Sequence, residues 1–325
     1  MRKLVSVLVV ALLFFGCQND GKKSKRLLSE SSGNINNLSV VIDNDMWESG
    51  VGEAIRDVLA RPLEGLPQDE PLFSMRQMPT AVFTDFATKN RTVFKVEKGK
   101  DADTKVAHNI FAKPQTLVLV TGQTDQEIID QVNANSAKII EAFKKEELKE
   151  KQRRINLSLH KSKSIKNKFG ATIKFPSAYR FAMDTDDFIW LRKDIKSGTM
   201  DIMIYQVPLN SLSEGDSLVG SVLRMRDSIG RKYIQGPVEG SYLGTEPAYA
   251  PFVHQTILDN KSTIETRGLW DVKNAFMSGP FVNYAIKDEI NNRYLVIEGY
   301  AFAPSVEKRD YVFELESIIK TVKIE

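Results

Sequence analysis

Three acidic residues, Glu64, Asp69 and Glu70, lie close together in the stretch PLEGLPQDEPLF, residues 62–73. Enzymes that hydrolyse glycosidic bonds use two carboxyl groups held about 5–10 Å apart across a cleft. Proline restricts the backbone, so the prolines of this stretch could hold such groups in place. The same pattern also fits a stiff loop whose acids face water. We treat the three residues as candidate catalytic groups of a hydrolase, with the plain loop as the alternative.

The rest of the sequence shows no recognisable catalytic or metal-binding motif. The histidines His108, His160 and His254 are far apart and the chain has a single cysteine, so no zinc ligand set is visible. Gly50 and Gly52 form a GxG without the third glycine of a dinucleotide-binding motif. We therefore predict neither a metal ion nor another cofactor.

Aromatic residues are concentrated between positions 242 and 284. Core packing can explain such a concentration. However, the segment NAFMSGPF, residues 274–281, places rings beside glycine and proline, where they could be exposed and contact a partner protein or a glycan. We predict binding at Trp270, Phe276 and Phe281, with burial in the core as the alternative.

Cys17 is the one cysteine of the 325 residues, and it lies where an apolar run ends. Residues 1–16, MRKLVSVLVVALLFFG, combine a positive start with an apolar core, which is typical of a signal peptide. That core is shorter than the roughly 20 residues that a membrane-spanning helix needs. A lone thiol cannot form an intramolecular disulfide.

The segment around Cys17 resembles the processing site of bacterial lipoproteins. Gly16 fits the cleavage position, whereas Phe14 stands where leucine is usual. The resemblance implies that the Cys17 thiol is alkylated with diacylglycerol, that the chain is cut before Cys17, and that the new amino terminus is acylated with a fatty acid such as palmitate. These hydrocarbon chains would anchor the protein in a membrane. The alternative is an ordinary secreted protein with a leftover thiol.

Charge and composition characterise the chain beyond this anchor. The chain has 45 Lys and Arg against 42 Asp and Glu, so no strong overall charge attracts nucleic acid, and we expect none as a partner. Residues 17–37 are rich in Ser, Gly, Asn and Lys and predict a flexible tether. Its basic cluster can approach anionic lipid headgroups; the cluster comprises Lys22, Lys23, Lys25 and Arg26.

Hydrophobic patterning divides the folded part into two modules, residues 38–151 and 152–325. In the first, strand-like runs accompany a long helix that begins with a capping box, Thr124 and Glu127. In the second, many strand-like runs accompany a few long helices, the last of them predicted to be capped by Ser305. This pattern indicates an α+β fold, and we expect a mostly antiparallel sheet in each module.

Four phrases of the sequence resemble one family: VVIDNDMWESGVGEAIRDVL, GLPQDEPLF, FAKPQTLV and LVIEGYAFAPSVEKRDYVFELESII. The family is an uncharacterised group of Bacteroidota envelope lipoproteins, domain of unknown function 4837, and the resemblance extends over nearly the whole mature chain. It implies a lipoprotein in the envelope of a diderm bacterium, in the outer membrane and facing the periplasm. It implies no activity and no site residues. The ending of the second module is also similar to PsbP-like and Mog1-like α+β domains.

These observations favour a lipid-anchored envelope protein that works by binding or assembly rather than by catalysis. A hydrolase of envelope polymers that uses the acids of residues 62–73 is the alternative. A lipid carrier, which would need a closed apolar cavity in one module, is a third possibility. An enzyme and a binding protein differ in geometry, because an enzyme needs polar groups that converge in a deep pocket.

Overall fold

The computed structural model describes residues 27–325, which form two modules, each built on its own β-sheet. We call residues 27–155 the first module and residues 156–325 the second module. The predicted α+β fold is confirmed. Between residues 27 and 325, no helix is long and apolar enough to cross a membrane. The predicted signal peptide and Cys17 lie outside the described residues.

The first module contains a parallel sheet with one antiparallel edge strand. Its strands and α-helices are β1 Ser29–Glu30, β2 Asn37–Val41, α1 Asn44–Trp47, α2 Gly50–Leu59, β3 Ser74–Met78, β4 Thr92–Lys98, β5 Asp103–His108, β6 Ala112–Lys113, β7 Thr116–Gly122, α3 Asp125–Ala134 and α4 Ser136–Ile155. The sheet order is β3-β2-β4-β7-β5, and the β5–β7 pairing is the antiparallel one. The antiparallel sheet predicted for this module is therefore wrong. Helix α2 lies between β2 and β3 in the chain, and such a crossover returns the chain to run in the same direction.

Both faces of this sheet are covered, which explains why the adjacent residues Val40 and Val41 of β2 are both apolar and both buried. Val40 and Phe94 belong to the core beneath helices α2, α3 and α4, whereas Val41 and Val93 belong to a smaller cluster on the other face. Parallel strands buried on both faces read as continuous hydrophobic runs rather than alternating ones. The Thr124 half of the predicted capping box is confirmed, since Thr124 Oγ1 accepts the backbone N–H of Glu127 at the start of α3. The Glu127 carboxylate accepts the backbone N–H of Gln123, one residue before the cap.

The second module contains an antiparallel sheet, as predicted. Its elements are α5 Ser164–Phe169, β8 Ala171–Thr172, β9 Arg180–Asp184, β10 Phe188–Ile195, β11 Gly198–Pro208, α6 Leu218–Tyr233, β12 Tyr242–Thr245, β13 Phe252–Leu258, β14 Lys261–Lys273, β15 Ser278–Asp288, β16 Arg293–Phe302, α7 Arg309–Ile319 and β17 Lys323–Ile324. The sheet order is β12-β14-β15-β16-β11-β10-β9, and β13 also pairs with β14. Helix α6 covers one face and α7 the other, so neighbouring residues such as Phe281 and Val282 enter different cores.

Two predicted boundaries differ from the structure. The predicted tether extends to Asn37, but in the structure β1 already pairs with β6, and Arg91 donates hydrogen bonds to the carbonyls of Gly33 and Asn34. The boundary between residues 151 and 152 falls within α4, which continues to Ile155. Helix formation is cooperative, so a charged surface stretch with good helix formers extends the helix instead of ending it.

The two modules contact each other through helices α4 and α7 and through the loop between α2 and β3. Lys151 pairs with Glu314 at 2.7 Å, and the Gln152 side chain donates to the Ser317 carbonyl. Gly65 of the loop has φ +81°, and a Cβ there would lie 2.8 Å from Cβ of Arg267 on β14. Glycine thus lets the loop lie directly against the second sheet.

Candidate functional site

Glu70 holds the start of helix α7. Its buried carboxylate accepts hydrogen bonds from the backbone N–H groups of Lys308 and Arg309, both at 2.7 Å. A carboxylate at a helix N-terminus satisfies backbone donors that have no partner within the helix. Ser305, predicted to be the cap, lies before this point, and helix α7 begins at Arg309. The structure thus corrects both expectations, because Glu70 acts as the cap and its oxygens are occupied by the backbone.

The other two candidate acids are not brought together with Glu70 in one cleft. Glu64 is about half exposed, and its Oε2 lies 2.7 Å from Nε2 of His254 on β13. Asp69 is exposed. Carboxylates divided among a helix cap, a histidine pair and open solvent lack the facing arrangement that glycoside hydrolysis requires.

The predicted aromatic binding residues separate into core and surface. Trp270 is 2% exposed and donates its indole N–H to the Ala301 carbonyl, and Phe281 is 1% exposed beneath the Arg226 guanidinium. The expectation that these two rings are exposed is wrong, because strand alternation turns both toward the core under α6. Phe276, at the β14–β15 turn, is fully exposed, and its binding role stays a prediction.

A buried polar cluster lies on the α6 face of the second sheet. Arg226 Nε lies 2.9 Å from Glu298 Oε1, and the Asn283 amide donates to the other carboxylate oxygen at 2.8 Å. Burial raises the pKa of Glu298, and the Arg226 charge opposes that shift. Arg226 and Glu298 have no exposed side-chain surface, so this cluster serves the packing of α6 on the sheet rather than contact with a ligand.

The main candidate site is a cleft of about 490 Å³ between the modules. We call it the inter-module cleft. The lining residues from helix α4 are spaced three, four or seven positions apart, so they lie on one face of the helix. The lining residues from α7 have similar spacing. The loop between α2 and β3 closes the third side. The apolar lining consists of Leu63, Leu72, Phe73, Ala137, Ile140, Leu148 and Phe313. The polar lining includes Arg61, Glu141, Lys144, Lys145, Arg309, Glu316 and Lys320.

A second, more polar space of about 450 Å³ adjoins this cleft and shares its lining at Arg61, Lys144 and Glu316. Strands β13 and β14 add His254, Glu265 and Arg267 to it. We call this space the polar lobe. The inter-module cleft therefore runs from an apolar wall toward a charged end.

Some cations of the cleft form ion pairs with carboxylates, and others do not. Glu316 binds Arg267 Nη2 at 2.8 Å and also pairs with Lys320. By contrast, Arg61, Lys144 and Lys145 form no ion pair with any residue from 27 to 325. Burial would raise the pKa of Glu316, but Arg267 and Lys320 hold it below its ordinary value, so this carboxylate stays charged and committed to them.

Lys144 lies at the junction of the cleft and the polar lobe. Its pKa is lowered, chiefly because the surrounding protein shields the charged amine from water. The Glu316 charge opposes this shift, and the charges of Arg267, Lys320 and Arg61 add to it. The side chain remains accessible from the cleft. A cation among other cations, open to a cleft, is a position that an anion would stabilise.

The sequence carried one signal for this site. Along α4, Ala137, Ile140, Lys144 and Leu148 repeat at helical spacing, beside the face that carries the core residues Ile139 and Phe143. Ile140 is buried and belongs to both faces. A second stripe of this kind predicts a second contact surface. Its partners on α7 lie more than 160 residues later in the chain, so the cleft itself is not visible in the sequence.

Metal binding has no visible basis in the part of the chain that the structure describes. No group of three or more His, Cys, Asp or Glu side chains among these residues is placed to hold a metal ion.

Two family models match the chain. Residues 158–321 match the domain of unknown function DUF4837, and residues 31–156 match the domain of unknown function DUF8532. The predicted resemblance is confirmed for the second module, whereas the first module matches a separate family. No curated protein matches the chain. The solved structure of the Ran-binding protein Mog1p from Saccharomyces cerevisiae is similar to 47% of this chain and 89% of that protein, with 8% sequence identity and a TM-score of 0.32.

Proposed function

The chain belongs to the DUF4837 family, a domain of unknown function, and from this premise we propose that it is a lipid-anchored envelope protein that binds a small ligand in the inter-module cleft. The anchor is the acylated Cys17, and the folded modules face the periplasm from the outer membrane. The signal-peptide pattern of residues 1–16 and the lone cysteine support this placement.

The inter-module cleft is the observation that carries the proposal. Ligand sites in proteins are typically concave, about 300–1,000 Å³ in volume, mainly apolar, with a few placed polar groups, and they occur preferentially between domains. The cleft meets each of these conditions with its volume of about 490 Å³, its apolar wall and its charged end.

Binding fits the geometry better than catalysis. Of the three candidate acids, Glu70 caps a helix, Glu64 is hydrogen-bonded to a histidine, and Asp69 is exposed to solvent. The unpaired side chains of the cleft are mainly cations. Such cations bind and orient an anionic group. Potential bases are present as well, since Glu141 lines the cleft and the His254–Glu64 pair borders the polar lobe, but Glu64 and His254 are engaged with each other at 2.7 Å.

A variant that fills the cleft tests the proposal. Ala137 lines the cleft at an exposed position of α4, so Ala137→Trp should fill it without disturbing the core. Full-length wild-type and variant proteins would be purified from their native membranes and extracted with organic solvent. Mass spectrometry should find a small molecule retained near stoichiometrically by the wild type and reduced at least about tenfold in the variant.

The matched control is Ala134→Trp, an exposed alanine near the end of α3 that does not line the cleft. It should retain the same molecule as the wild type. Equal retention by both tryptophan variants, or no retained molecule in any of the three proteins, would contradict binding in the cleft.

A further inference from the structure

We infer that the ligand of the inter-module cleft is a single-chain anionic amphiphile, that is, one hydrocarbon chain ending in a carboxylate, sulfonate or phosphate group. The inference rests on the proposed function and names the chemical class of its ligand. The anionic group lies at Arg61 and Lys144, and the chain lies along the apolar wall.

The apolar wall determines the chain. Leu63 and Leu72 of the loop, Ile140 and Leu148 of α4, and Phe313 of α7 line the cleft. These side chains offer dispersion contacts and no hydrogen-bond partners, so they suit a hydrocarbon chain. A glycan would leave its hydroxyl groups unpaired against such a surface.

The charged end determines the head group. Arg61 and Lys144 have no carboxylate partner among the described residues, and Glu316 is already bound by Arg267 and Lys320. An anionic group there forms charge-assisted hydrogen bonds and relieves the repulsion between Lys144 and its cationic neighbours. A cationic head would meet that repulsion instead.

The chain's own N-terminal segment is a poor occupant on charge grounds. The residues just before the described part include Lys22, Lys23, Lys25 and Arg26. This basic segment would place like charges against Arg61 and Lys144. Charge complementarity therefore favours a separate anionic molecule.

Photoaffinity labelling of the full-length protein in its native membranes tests the inference. The probe is dodecanesulfonate carrying a diazirine on its chain, used below its micellar concentration. After photolysis, peptide mass spectrometry should place the label on peptides from α4 and α7 that contain Leu148 and Phe313. Label confined to peptides outside the cleft would overturn the inference.

Competition by unlabelled compounds reports the ligand class. Potency of n-alkanesulfonates should rise about fourfold per added methylene and should level off once the chain exceeds the cleft. If the compounds competed only by partitioning into the membrane, their potency would keep rising with chain length. Decyltrimethylammonium and decyl maltoside should compete at least about tenfold more weakly than decanesulfonate. Equal competition by all three head groups, or by inorganic sulfate, would overturn the inference.

Variants locate the head group. Arg61→Gln/Lys144→Gln should weaken labelling at least about tenfold, whereas Lys149→Gln, an exposed lysine of α4 outside the cleft, should not change it. Equal melting temperatures would show that all three proteins are folded. If Ala137→Trp displaces the native ligand but alkanesulfonates do not compete with the probe, the cleft still binds a ligand and only its assigned class is wrong.

Discussion

Replacing Glu70 with alanine should destabilise the protein, because this side chain of the first module caps a helix of the second. The carboxylate accepts the backbone N–H groups of Lys308 and Arg309, and it is 4% exposed. Its removal leaves these two donors without an acceptor at the start of α7. The same helix provides Phe313 and Glu316 to the inter-module cleft.

The size of the effect can be worked out from these contacts. Hydrogen bonds to a charged group contribute about 1.5–3 kcal/mol each, and a negative charge at a helix N-terminus adds about 0.3–1 kcal/mol. Water that enters the vacated space can accept hydrogen bonds from the two N–H groups, so the loss of stability is smaller than the sum of these contributions. For comparison, removal of an uncharged capping side chain costs up to about 2 kcal/mol. We therefore expect a loss of about 3 kcal/mol in the free energy of unfolding for Glu70→Ala, which lowers the melting temperature by roughly 6 °C for a chain of this size.

Urea unfolding and calorimetry of the full-length protein would measure this loss. Asp69→Ala is the matched control, because Asp69 is the neighbouring acid and is exposed, and a surface change of this kind alters stability by less than about 0.5 kcal/mol. Glu70→Gln, which keeps one acceptor oxygen but loses the charge, should fall between the two. If Glu70→Ala is as stable as Asp69→Ala, the carboxylate does not hold the helix and the reasoning is refuted.

Three further predictions concern binding, processing and the aromatic residues. The affinity for decanesulfonate, whose charge is constant, should fall as the pH rises, and the fall should begin below pH 10.5 because the pKa of Lys144 is lower than the ordinary lysine value. The Lys144→Gln variant should lack the part of the fall that begins below pH 10.5. Identical pH profiles of the wild type and this variant would contradict the assignment of the head-group site to Lys144. Mass spectrometry of the mature amino terminus should find an acylated Cys17, and Cys17→Ser should block that processing; an unmodified terminus at another residue would disprove it. Phe276→Ala should leave the melting temperature nearly unchanged, whereas Phe281→Ala should reduce stability by about 3–5 kcal/mol, and similar losses in unfolding experiments would show that exposure does not distinguish the two rings.

Local patterns predicted the elements of the fold well. The capping box of Thr124 and Glu127, the helical spacing of α6 and the many strands of the second module all depend on residues close together in the chain. The direction of the strands in the first module, by contrast, does not depend on residues close together in the chain. The run LSVVID, residues 38–43, which contains most of β2, is compatible with either strand direction. Pairing with β3 and β4 decided the direction, because a helix connects β2 to β3.

The roles of single residues were less predictable. Trp270 and Phe276 are near neighbours in one aromatic segment, yet one is 2% exposed and the other fully exposed. Glu70 stood out as a possible catalytic acid, but its partners are backbone groups 238 and 239 residues later in the chain. Contacts of this range depend on how the modules pack, which no local pattern records.

The sequence by itself determined the membership in the DUF4837 family, the α+β class and the presence of many of the helices and strands. It also predicts a lipid anchor at Cys17. These properties depend on composition, periodicity and short motifs. Only the tertiary structure decided where a ligand could bind. The cleft exists because α4 and α7 pack side by side, so that Lys144 and Phe313, 169 residues apart in the chain, line one space. Each helix alone presents an ordinary mixed surface, and the combination of an apolar wall with unpaired cations arises when the two surfaces meet.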